Sequence, residues 1–88
     1  MEEEVLDTHK MVMDNTTRFL NHAHSVFSAT HEVDYDQEAY AQEWEQLLVQ
    51  QRDTVIAALD QVSQFRGQLL QEEQISQKMT RTRNLRYN

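Results

Sequence analysis

The chain has one obvious break, between Thr30 and Asp36, and no proline anywhere. On either side of Glu32-Val33-Asp34-Tyr35-Asp36 lies an amphipathic segment, and the second is much longer than the first. A link this short predicts that two helices fold back on each other as an antiparallel hairpin. Asp34 and Asp36 are both good helix N-caps, and Asp36 is the better placed, with Gln37 and Glu38 following in the first turn. Helices of unequal length cannot fully bury each other's apolar faces. The expected fold class is therefore all-α: a helical hairpin with a longer second helix that dimerises into a four-helix or coiled-coil arrangement.

Composition supports helix and removes several alternatives. A chain of 88 residues makes one small domain at most, and a domain this size usually needs tight packing, staples or oligomerisation. The single glycine and the abundance of Gln, Glu, Leu and Ala leave little turn chemistry. There is no cysteine, which excludes disulfides and thiolate zinc sites. Residues 1–77 hold all fifteen acidic side chains against Lys10, Arg18, Arg52 and Arg66, a balance of −11. Residues 78–88 carry Lys78, Arg81, Arg83 and Arg86 and no acid, a balance of +4. An acidic body is a poor match for nucleic acid, which needs a basic face. No apolar run approaches the roughly 20 residues that span a bilayer, so no membrane partner is expected. The acidic start shows no signal-peptide pattern, and a cytoplasmic or nuclear setting is the default expectation.

The first helix is expected from about Glu3 to Ala29. Val5, Val12, Phe19 and Val26 form one apolar column at a spacing of seven, and Leu6, Met13, Leu20 and Phe27 form a second. Between them fall His9, Thr16, Ala23 and Thr30, so large residues flank a strip of smaller ones, a groove that another helix could enter. The second helix is expected from about Gln37 to Met79, followed by a solvated basic tail over 80–88. Its apolar stripe holds Tyr40, Trp44, Leu47, Leu48, Val55, Ala58, Leu59, Val62, Phe65 and Leu69. Leu48, Val55, Val62 and Leu69 repeat at seven, interleaved with Trp44, Gln51, Ala58 and Phe65. This is a heptad-like seam in which Gln51, the one polar member, would set register. Val49, Ile56 and Leu70 lie off that face, and a single seam does not explain them.

At about 1.5 Å per residue the helices span roughly 40 and 65 Å, leaving an overhang of about 25 Å. Val62, Phe65 and Leu69 are expected in that overhang, where leaving them in water forgoes on the order of 5 kcal/mol of burial. Either the overhang frays or a second copy covers it, and a homodimer is the preferred expectation.

The candidate chemistry is thin. His22 and His24 are two apart and so project from different sides of a helix, whereas zinc pairs need a spacing of three or four. Glu72-Glu73 and the Asp34/Asp36 pair lack a desolvated pocket for acid–base work. No phosphate-cradling glycine loop is present. No catalytic residue, metal ligand or cofactor is assigned, and an enzyme is the least favoured class.

Taken in order, several short elements resemble the C-terminal, non-motor region of the kinesin-13 family of microtubule-depolymerising kinesins. They are Glu3-Glu4-Val5 and His9-Lys10, then Glu32-Val33-Asp34-Tyr35-Asp36, then Tyr40-Ala41, Glu45, Leu47-Leu48, Gln50 and Asp53. Asp60 with Val62, Phe65-Arg66, Leu69, Glu72-Glu73-Gln74 and Ser76 complete the set. Each element is weak alone; Val-Asp-Tyr-Asp followed at fixed distance by Phe-Arg and Glu-Glu-Gln is more specific. The likeness covers residues 2–79 without gaps. It implies a non-catalytic dimerisation and regulatory module over 1–79 of a larger mitotic motor protein. The implied setting is the cytoskeleton, at microtubules, spindle, centrosome or kinetochore.

The expected dimer and hairpin interface comprises Val12, Phe19, Leu20, Phe27, Trp44, Leu48, Val55, Val62, Phe65 and Leu69. A rival expectation is a recruitment module that binds another spindle-associated protein through Tyr35, Val49 and Ile56. A third places Arg81, Arg83 and Arg86 against the motor domain or the acidic tails of tubulin.

Overall fold

The computed structural model describes residues 2–86, with side chains through residue 78. Helix α1 spans Glu2–Ala29 and helix α2 spans Gln37–Arg86. They pack side by side as an antiparallel hairpin with principal extents of 83 × 19 × 14 Å. No strand is present among the described residues.

Local chemistry accounts for the ends. Glu2, Glu3 and Glu4 occupy the first turn of α1, where carboxylates meet the positive end of the helix dipole. At its other end the amides of Thr30, His31 and Glu32 donate back to the carbonyls of Phe27, Ser28 and Ala29. These three-residue spacings tighten the last turn and occupy carbonyls that would otherwise lack a donor. The Thr30 hydroxyl also donates to the Phe27 carbonyl, at 2.6 Å. Asp36 caps α2: its Oδ1 accepts from the amides of Glu38 at 3.0 Å and Ala39 at 3.2 Å. In the link, Tyr35 meets Tyr40 edge to face with ring centroids 6.4 Å apart, so it packs back on its own helix.

The end of α2 departs from expectation. The helix does not stop near Met79 to release a tail but continues to Arg86. Nothing in Thr80–Arg86 breaks a helix, since the segment has neither proline nor glycine. Basic residues in the last turns also suit the negative end of the dipole. The overhang is accordingly longer than expected. Phe65 is the last half-buried residue of α2 among the described side chains, and every one from Arg66 to Lys78 is exposed. About 30 Å of helix runs on past the start of α1.

The cap yields a simple prediction. Asp36→Ala should lower stability by about 1 kcal/mol, read as a fall of several degrees in the thermal midpoint by circular dichroism. Asp34→Ala, which removes no capping bond, should be close to neutral. Equal losses from both would mean that the helix starts elsewhere.

Candidate functional site

Only Val26 and Leu47 are buried among the described residues. On α1 the half-covered positions are Val5, Thr8, Val12, Asn15, Phe19, Ala23 and Thr30. On α2 they are Tyr40, Trp44, Gln51, Thr54, Ala58, Gln61 and Phe65, alternating in steps of four and three with Leu47. That alternation is the signature of two helices meshed along a coiled-coil seam. Phe19 and Trp44 stack across it with ring centroids 6.0 Å apart. Further from the link, two turns along α2 from Trp44, Gln51 Nε2 donates to Thr16 Oγ1 at 3.1 Å. This bond ties the polar position of α2 to one point on α1 and opposes sliding.

The seam differs from the expected one by a rotation of α2. The column Trp44, Gln51, Ala58 and Phe65 does face α1. Its companion is Tyr40, Leu47, Thr54 and Gln61, not Leu48, Val55, Val62 and Leu69. Those four remain 45, 47, 40 and 47% exposed. On α1 the column Val5, Val12, Phe19 and Val26 is used, whereas Leu6, Met13, Leu20 and Phe27 stay more than half exposed. The strip between the columns is entered only near the link, at Ala23 and Thr30; His9 and Thr16 remain exposed.

Of the ten expected interface residues, the hairpin brings together Val12, Phe19, Trp44 and Phe65. It leaves Leu20, Phe27, Leu48, Val55, Val62 and Leu69 facing outward. Phe65 lies against the start of α1 and not in the overhang, because the tight link lets the pairing run to the first turns of α1. Val62 is alongside α1 but rotated away from it. Residues Leu47, Val26, Thr54 and Gln61 were not among the expected interface. The regular four–three spacing through Leu47 was the signal for the α2 residues, concealed by the polar character of Thr54 and Gln61, and the column Val5, Val12 and Phe19 was the signal for Val26.

The rotation gives the two flanks different linings. On one flank, shallow clefts along the hairpin are lined by Asn15, Arg18, His22 and Gln50 beside Phe19 and Leu47, and by Thr8, Asp53 and Gln61 beside Met11, Ala57 and Ala58. Gln61 Oε1 is buried there without a hydrogen-bond donor. In an antiparallel pair, equivalent edges of the two helices lie on one side. The opposite flank therefore carries both uncovered columns, Leu6, Met13, Leu20 and Phe27 on α1 and Leu48, Val55, Val62 and Leu69 on α2. Near the link it opens into a depression lined by Leu20, Ala23, Phe27, Tyr40 and Trp44. Leu59, 62% exposed, widens the stripe. Two uncovered apolar columns on one flank, with His9 and Thr16 exposed between them, mark an interaction surface more often than a solvated one. Covering the exposed half of each side chain would contribute on the order of 1 kcal/mol.

Of the other candidate contacts, Val49 and Ile56 are exposed on the outer face of α2 at 38 and 55%. Arg81, Arg83 and Arg86 fall on the α2 backbone, but their side chains lie outside the described residues. No group of three or more His, Asp or Glu side chains that could hold a metal ion occurs among the described residues. No helix among them is long and apolar enough to cross a membrane. No family model matches the chain, and no solved structure matches it.

The Gln51–Thr16 bond is testable by a double-mutant cycle. Gln51→Ala and Thr16→Ala should show a coupling of about 0.5–1.5 kcal/mol in denaturant unfolding. Strict additivity would remove the register-setting role assigned to this pair.

Proposed function

We propose that this hairpin is a non-catalytic self-association module whose working surface is the apolar flank. The observation that supports this most is the choice of edge buried within the hairpin. α2 turns Thr54 and Gln61 toward α1 and leaves Val55, Val62 and Leu69 outside. A chain selected to be stable alone would do the reverse. Burying the weaker edge is intelligible if the stronger one is covered by something else.

The likeness of Val33-Asp34-Tyr35-Asp36, Phe65-Arg66 and Glu72-Glu73-Gln74 to the kinesin-13 C-terminal region suggests what the module serves. In this reading it dimerises and regulates a microtubule-depolymerising motor whose ATPase lies elsewhere in a longer protein. The 88 residues carry no nucleotide-binding loop, so ATP hydrolysis is assigned to the motor and not to the hairpin. Its place would be the microtubule cytoskeleton, with the motor domain, tubulin or a spindle protein as further contacts. The exposed residues Val49, Ile56 and Leu70 on the outer face of α2 favour a second, recruiting role.

Solution mass tests the self-association directly. The 10.5 kDa chain should sediment at twice that mass at tens of micromolar. Val55→Glu with Val62→Glu should return it to the monomer mass while leaving helical content in place, since neither residue faces α1. A wild-type chain that stays monomeric near 1 mM would refute the proposal and leave the recruiting role.

A further inference from the structure

We infer that the second copy lies antiparallel along α2, with the two-fold axis crossing near Leu59 and Val62, and that opposite charges fasten its two ends. This rests on the self-association reading above and specifies its geometry. Three observations converge on it.

The first is position. α2 runs from Gln37 to Arg86, so its midpoint falls at Gln61–Val62. The uncovered residues Leu48, Val55, Leu59, Val62 and Leu69 straddle that midpoint. A copy sharing this centre overlaps the whole of α2, including the stretch beyond Phe65 that α1 does not reach.

The second is self-complementarity. The steps along the stripe are seven, four, three and seven, nearly unchanged when read backwards. An isologous interface needs a patch that fits its own reversed image. Reversing α2 about the proposed axis sets Leu59 level with the partner's Val62, and brings Leu48 and Val55 to about one helical turn from the partner's Leu69 and the partner's Val62. It also puts Arg52 about one helical turn from the partner's Glu73, twice by symmetry.

The third is charge. From Glu32 to Glu45 the chain holds Glu32, Asp34, Asp36, Glu38, Glu43 and Glu45 and no Lys or Arg. From Ile75 onward it holds Lys78, Arg81, Arg83 and Arg86 and no acid. A parallel, in-register copy would set carboxylates beside carboxylates and cations beside cations. The antiparallel copy sets Arg83 level with the partner's Glu38, both in step with the uncovered stripe. The last turns, near Arg86, come to rest beside the acidic link. Charge patterning of this kind selects orientation by penalising the wrong one.

The absence of cysteine makes a clean test possible, because introduced thiols are the only ones present. Leu48→Cys and Glu73→Cys chains are mixed in equal amounts, equilibrated, and linked with a short bismaleimide, with solution mass measured in parallel. The antiparallel arrangement gives the mixed 48–73 product as the main species, identified by mass spectrometry of the linked peptides. A dimer that yields only 48–48 and 73–73 products, or no linked product, overturns this geometry and leaves self-association standing. A monomeric mass overturns both. Charge reversal adds an independent readout. Arg81→Glu, Arg83→Glu and Arg86→Glu together should weaken the dimer at least tenfold at low salt. Added salt should narrow the gap to wild type, as screening requires.

Discussion

The molecule depends on how little its two helices hide from water. Val26 and Leu47 are the only buried side chains among the described residues, and the remaining contact is a single meshed seam. A seam of that kind buries little of the apolar surface on which a small domain usually depends for its stability. Helix propensity, the Asp36 cap and the short link bring the partners together, and Phe19 on Trp44 with Gln51 on Thr16 decide how they meet. What that seam leaves uncovered defines the rest of the surface.

Much of this was legible in the sequence. The absence of proline, the acidic break and the capping carboxylate of Asp36 were enough for two helices, their order and the turn between them. Gln51 announced itself as the polar position in an apolar column. The rotation of α2 was not legible, and the reason is physical. Leu48, Val55, Val62 and Leu69 form a more apolar column than Tyr40, Leu47, Thr54 and Gln61, so ranking by hydrophobicity chooses the wrong edge for α1. α2 carries two seams at once, one against α1 and one uncovered. Periodicity reports their sum and does not say which of them α1 takes. The end of α2 was missed for a different reason: a run of basic residues resembles a solvated tail, yet it is also what a helix C-terminus favours.

The division of edges has consequences for specificity. Thr8, Asn15, Thr54 and Gln61 put polar groups at the seam, where they add little burial, and the register is tied by a neighbouring pair. Gln51 and Thr16 are that pair, since sliding by one turn would leave both groups without their bond. The apolar flank is the opposite case. Leucine, valine and methionine side chains attract without direction, so anything covering the flank would gain affinity from it and take its orientation from elsewhere. The segregated charge, acidic around the link and basic at the far end of α2, is the feature available to set it.

Closure of the hairpin and occupation of its flank are therefore thermodynamically linked. The flank exists only while α1 lies along α2, because its two columns come from different helices. Anything that binds it favours the closed hairpin by mass action, and loosening the hairpin weakens the binding by the same factor. The weakest part of the seam is its open end, where α1 contributes Val5 and Thr8 and where Gln61 Oε1 is buried without a donor. It is also the end nearest the long overhang of α2. A partner lying along α2 would cross that weak end at mid-length. Association would then add most where the isolated chain holds least.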